Sequence, residues 1–198
     1  MPTVKKTAEK KKKADYPVYQ LRIILKDIRP PVWRRIQVAG DTSLRKLHKA
    51  IQILMNWEDY HLHSFTVGET RYGIPDPEGL WDTGEKDDQR FSLAEAVPAA
   101  ESSMRYVYDF GDNWEMDILV EKLLPPDKDF KSPVCLAGKR AGPPEDCGGA
   151  WGYEKLLEII KTPDHREYES MMAWLGGQFD PEAFDPDAIN AKLLKIKR

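Results

Sequence analysis

The feature that most constrains this chain is a pair of short, regularly alternating stretches near its N-terminus. Residues 18–26, VYQLRIILK, place Tyr19, Leu21, Ile23 and Leu25 on one side and Val18, Gln20, Arg22 and Ile24 on the other. A period of two, with one side apolar, is the pattern of a strand with a single buried face. Residues 32–38 repeat it, with Val32, Arg34, Ile36 and Val38 alternating against Trp33, Arg35 and Gln37. Between them lies Asp27-Ile28-Arg29-Pro30-Pro31, a turn whose prolines offer no ladder donors. Two strands joined by so short a turn pair as an antiparallel hairpin.

The spacing then changes. Leu44, Leu47, Ile51, Leu54 and Met55 recur every three or four residues, which predicts a helix ending near Asn56-Trp57, with Asp41, Thr42 or Ser43 as its N-cap. Residues 61–67 alternate again as a strand, Gly68-Glu69 turns the chain, and residues 70–74 return. A polar loop over 75–90 leads to a short helix at Leu93–Val97 capped by Ser92. Met104–Phe110 and Trp114–Leu123 form a further hairpin about Gly111-Asp112-Asn113. Residues 125–150, rich in Pro, Gly and charge, read as loop. Three helical patterns follow. One carries Tyr153, Leu156, Leu157 and Ile160. The next carries Tyr168, Met171, Met172 and Leu175 and stops at Gly176-Gly177. The last opens with Pro186. This order predicts an α+β fold: a mainly antiparallel sheet opening β-β-α-β-β, with a helical C-terminal half.

Charge divides the 198 residues in two. Residues 1–15 hold six Lys against Glu9 and Asp15, while the remainder has 24 basic and 31 acidic residues, a net of −7. We expect a disordered basic arm over 1–16 and a single acidic domain over 17–198. Such a body does not make a general nucleic-acid-binding surface, so any nucleic-acid contact would run through the Lys-rich arm. There is no apolar run long enough to span a bilayer, no apolar segment behind the N-terminal lysines, and only two cysteines. These point to a cytoplasmic protein without membrane partners.

Several residues are of the types that carry chemistry. His61-Leu62-His63 puts two imidazoles on one face of the expected strand. They suit zinc or acid–base work, and equally a packed pair at a sheet edge; alone they fall short of a zinc site's three or four ligands. Asp109 and Asp112 flank the second hairpin turn, where a carboxylate also serves by accepting local amides, and Glu115 follows on the return strand. Cys135 and Cys147 are too far apart for a zinc knuckle, and would need His61, His63, Asp146 or His165 brought in by folding. Trp81, in the polar loop, is the tryptophan expected to be exposed and available to a partner. There is no phosphate-binding loop and no dinucleotide fingerprint.

Six motifs occur in order: RPPVWRRIQV, NWEDYHLHSF, YGIPDP, YDFGDNWE, CLAGKRAGPPEDCGGAWGY and WLGGQFDPEAFD. Together they resemble the Ri-plasmid open-reading-frame-three-like family, also labelled as insertion-element passenger proteins, over about residues 17–195. The resemblance implies an α+β fold and a prokaryotic cytoplasmic setting, and brings no established activity. Some members carry a transposon resolvase label. A serine recombinase needs an N-terminal nucleophilic serine, whereas the first serine here is Ser43, at a helix cap. Members often have His where this chain has Met116, which removes that group from any site built on the hairpin.

Three functions remain. The first is a non-catalytic binding or adaptor module that recognises a protein or small-molecule ligand through His61, His63, Trp81, Asp109, Asp112 and Glu115. The second is a metal-dependent, hydrolase-like enzyme using His61 and His63 with the hairpin carboxylates, and with Cys135 or Cys147, around an ion such as zinc. The third is a DNA-associated, resolvase-like protein of a mobile element. The spatial convergence of the ligand-type residues discriminates the second from the first.

Overall fold

The structure, a computed structural model, describes residues 16–75 and 84–198. The first hairpin forms as the alternation predicts: β1 (Val18–Leu25) pairs antiparallel with β2 (Trp33–Ala39). Tyr19, Leu21, Ile23 and Leu25 are buried on one face. Helix α1 (Leu44–Met55) takes Ser43 as its N-cap, with the hydroxyl accepting the Lys46 N–H at 3.3 Å, and closes on Asn56 in the left-handed conformation. Strands β3 (His63–Val67) and β4 (Thr70–Gly73) make the next hairpin. The short β5 (Lys86–Asp87) lies parallel to β4. Helix α2 (Leu93–Ala96) begins in a capping box, in which Ser92 and Glu95 each satisfy the other's backbone N–H. Strands β6 (Ser103–Tyr108) and β7 (Trp114–Leu124) complete the second long hairpin.

Among the described residues eight strands join one sheet in the order β5-β4-β3-β6-β7-β1-β2-β8, antiparallel except for the β4–β5 pair. The opening order β-β-α-β-β is as expected, and α3 (Gly149–Ile160), α4 (Tyr168–Trp174) and α5 (Pro186–Leu193) occupy the C-terminal part. Two strands differ from the sequence reading. β8 (Val134–Lys139) lies inside the segment read as loop, and β5 inside the polar loop. β8 is an edge strand paired with β2 across a bulge between Arg35 and Ile36, so its exposure does not alternate cleanly and leaves no period of two. β5 is two residues long, too short for any period.

One face of the sheet packs against α1 and the C-terminal helices, and the core lies between them. Met104, Tyr106, Tyr108, Trp114, Met116, Ile118 and Val120 supply its centre from β6 and β7. On the opposite face Lys26, Arg105 and Glu115 form ion pairs, and Arg35 forks onto Glu121. No described helix is long and apolar enough to cross a membrane. The Lys-rich arm over 1–15 lies outside the described residues.

Candidate functional site

Three connecting segments meet at one end of the interior strands β3, β6 and β7: the α1–β3 link, the β6–β7 turn and the loop between β8 and α3. Tyr108, the last residue of β6, ties them together. Its hydroxyl donates to Glu145 and accepts the backbone N–H groups of Tyr60 at 3.0 Å and His61 at 3.3 Å. Glu145 also accepts the Glu58 N–H at 2.7 Å, and the Trp57 indole N–H donates to the Pro143 carbonyl at 2.8 Å. Asp112 accepts the Gly148 N–H at 3.1 Å. Gly149 is required there: its φ is +66°, and a Cβ would come within 2.3 Å of the Asp112 carbonyl oxygen.

This lacing brings His61, Asp109 and Asp146 together, with one ligand-type atom from each lying within 4.8 Å of the others. His61 Nε2 is 3.1 Å from Asp146 Oδ1 and 3.6 Å from Asp109 Oδ2. Both aspartates adopt the left-handed region, with φ of +56° and +57°. That conformation is uncommon away from glycine, though aspartate tolerates it better than most. Asp109 accepts the Gly111 N–H through Oδ1 at 2.9 Å, and its Oδ2 is the oxygen nearer His61. Despite these short distances, the buried Nε2 of His61 has no aligned hydrogen-bond partner among the described residues. The three groups are therefore close enough to face one ion together, without a well-aligned hydrogen bond at Nε2. His61 is 30% exposed, Asp109 11% and Asp146 65%, so the cluster opens to solvent on the Asp146 side.

Behind the rim lies a buried polar array. His48 of α1 and His63 of β3 stack with ring centroids 3.5 Å apart and planes 6° from parallel. His63 donates from Nε2 to Asp88 at 2.7 Å, and Asp88 also receives Arg45 Nη2 at 2.6 Å. Burial pushes the Asp88 carboxyl up, but the hydrogen bonds from His63 and Arg45 outweigh it and hold it below its ordinary range. The Tyr106 hydroxyl is 2.8 Å from His48 Nδ1 and accepts from Gln52, while His48 Nε2 is 2.7 Å from Asp59. Gln52 also accepts the Asp59 N–H, so the array anchors the link that carries His61. Burial, with His63 alongside, lowers His48 to about 4 against the pull of Asp59.

The expected site residues are thus divided. β3 begins at His63, so His61 lies before the strand and the two histidines do not share an accessible face. His63 is a core residue stacked on His48, beyond reach of a surface ion. Asp109 and Asp112 are both at the rim, with Asp112 bonded to Gly148. Glu115 is on the far face of the sheet, paired with Lys26 at 2.9 Å, because it alternates with the buried Trp114 and Met116. Met116 is itself fully buried in the core, opposite Tyr106 in the β6–β7 ladder. Cys135 is buried in β8 and takes no part in the cluster. Cys147 follows Asp146 but is not part of the cluster, and burial, with Asp112 and Asp146 nearby, pushes its thiol up to about 12. His165 instead accepts the Glu167 N–H. Trp81 lies outside the described residues.

Sequence reasoning does not single out His48, Asp59, Asp88, Tyr106 or Tyr108 as site residues, although Tyr106 and Tyr108 fall in the expected strand over 104–110. His48 alone had a local signal, since it falls on the apolar stripe of α1 between Leu44 and Ile51.

Fold and rim together define a class: an α+β domain built on one large, mostly antiparallel sheet, with a His–Asp–Asp cluster where three of its connections meet. Within that class, the chain belongs to the plasmid pRiA4b ORF-3-like protein family, whose model matches residues 17–188. It is 34% identical over 175 residues to the uncharacterised protein y4hQ of Sinorhizobium fredii, covering 87% of this chain and 89% of that one. Its fold is similar to the crystal structure of a protein of unknown function, MM3350 from Methanosarcina mazei Go1. The TM-score is 0.79 at 43% identity, over 89% of this chain and 98% of the other.

Proposed function

We propose that this domain is a binding module that holds a divalent cation at His61, Asp109 and Asp146 and recognises its ligand through the ion's open positions. The observation that carries this is His61 Nε2: buried, between two carboxylates, and without an aligned hydrogen bond among the described residues. One imidazole and two carboxylates suit a first-row dication such as Zn²⁺ or Mn²⁺, and two negative charges balance it. Three protein ligands leave at least one position open. Exposed Tyr60, Leu62 and Phe110, neighbours of the cluster in sequence, supply apolar contact area around it.

An open position on a metal also activates water in hydrolases. The flanking carboxylates argue for the binding reading. Glu145 is engaged by Tyr108 and Glu58, and Asp112 by Gly148, so neither is left as an unengaged general base. Both cysteines are free thiols, in keeping with a reducing, cytoplasmic setting. Contact with DNA, were it part of the function, would rest on the lysines of residues 1–15.

The test is calorimetric titration of the chelator-treated full chain with Zn²⁺, Mn²⁺ and Mg²⁺. One equivalent of Zn²⁺ or Mn²⁺ is expected to bind, with His61→Ala and Asp109→Asn each weakening it at least about tenfold and Cys147→Ser leaving it unchanged. Binding that survives both substitutions would remove this centre.

A further inference from the structure

A second feature lies away from the rim, where the inward face of β2 carries Arg34 in line with Val32, Ile36 and Val38. Arg34 is 2% exposed. Its Nε donates to the Leu54 carbonyl at 3.0 Å, and its Nη1 donates to the carbonyls of Trp33 at 2.8 Å and Lys139 at 3.0 Å. Nη2 makes no hydrogen bond among the described residues, and no described carboxylate pairs with the guanidinium. The other buried arginine, Arg140, shows the contrast: it meets Glu182 at 2.7 Å. Three carbonyl dipoles orient Arg34 without supplying a counter-charge, and a buried charge without one is costly. Burial brings the guanidinium down to about 10, so it remains charged at neutral pH.

Arg34 lines a cavity of about 430 Å³ between the end of α1 and the segment leading into α5. Phe184 stacks against it, with the Arg34 Cζ 5.0 Å from the ring centroid. Gly138, opposite Arg34 in the β2–β8 ladder, makes that contact possible, since a Cβ there would come within 2.6 Å of the Phe184 ring. Phe179, Ile53 and Ile189 add apolar wall. The acidic residues at the mouth are already engaged: Asp185 caps α5 and Asp180 accepts the Glu182 N–H. The volume is that of a small-molecule site.

We propose that this cavity is a second binding site, independent of the rim, for a small carboxylate with an aromatic or bulky apolar body. The carboxylate meets Arg34 Nη2 and the apolar body lies along Phe184, Phe179 and Ile189. Neutral isosteres leave the guanidinium without its anion and bind less well.

The test uses 1-naphthoate and its neutral counterpart 1-naphthalenemethanol, titrated into the full chain in the presence of chelator so that the rim plays no part. Naphthoate is expected to bind at least about tenfold more tightly, as a hydrogen bond to a charged partner implies. Arg34→Met should remove the difference. Because that change could also disturb the end of α1, Ala188→Trp provides a second arm: Ala188 is exposed on α5 and lines the cavity, so a bulky side chain there blocks it without touching Arg34. Equal affinity for the acid and the alcohol, or naphthoate binding undiminished in Ala188→Trp, would overturn the proposal and leave Arg34 as a clamp on α1 alone.

Discussion

Acidification from pH 7 to pH 5 should weaken the fold through one residue, His48. In the native state its ring is enclosed by His63, Tyr106, Tyr108, Gln52 and Asp59, with Asp88 and Arg45 behind His63. Burial holds it neutral down to about pH 4, whereas in the unfolded chain it titrates near its ordinary 6.5. Between those values the unfolded state binds a proton that the native state refuses, so stability falls as the pH drops through 6.5 and levels off below about 4. From pH 7 to pH 5 the loss is about 2 kcal/mol. With a denaturant slope of about 2 kcal/mol/M, that lowers the urea midpoint by about 1 M. Asp88, Glu115 and Glu121 are held below their usual range, so what they contribute is present above the ordinary carboxylate pKa and is lost only at still lower pH. The assay is urea unfolding at both pH values, with chelator, for the wild type and for His48→Gln. The variant should be less stable at pH 7 yet nearly flat between the two. A wild-type midpoint that does not move, or a variant that keeps the full drop, would refute the argument.

Two further outcomes follow from local geometry. Gly149→Ala should cost roughly 2–4 kcal/mol in thermal or chemical unfolding, because it combines an unfavourable φ of +66° with a Cβ 2.3 Å from the Asp112 carbonyl oxygen. A variant as stable as the wild type would mean that the β8–α3 loop is free to shift. Cys147, with its thiol near 12, should react with a disulfide reagent at pH 8 at least about tenfold more slowly in the folded chain than after denaturation; equal rates would contradict the burial of its sulfur.

The long elements were legible because their causes are local. The alternation of β1 and β2 and the stripe of α1 with its Ser43 cap can each be read within a dozen residues, and so can the β6–β7 hairpin. β8 was not, because an edge strand with a bulge and a half-exposed face carries no clean period. His61 and His63 show the limit of period-two reasoning. It holds only inside a strand, and β3 begins between them, so one histidine goes to the rim and the other to the core. Asp109 is marked by its place beside a hairpin turn, whereas Asp146 carries no local mark and has to be delivered by folding. What delivers it is the Tyr108–Glu145 hydrogen bond, between side chains distant in sequence.

The sequence by itself therefore determined the order of the long elements, the mainly antiparallel character of the sheet, the buried faces and the contrast between a net-basic stretch over residues 1–15 and an acidic remainder, since these follow from periodicity, turn length and charge count. Only the tertiary structure decided which ligand-type residues meet. Convergence of His61 with Asp109 and Asp146, the stacking of His48 on His63 and the unpaired charge of Arg34 beside its cavity all depend on which loops close against one another. That closure is set by long-range packing and hydrogen bonding, for which no local pattern of residues is a record.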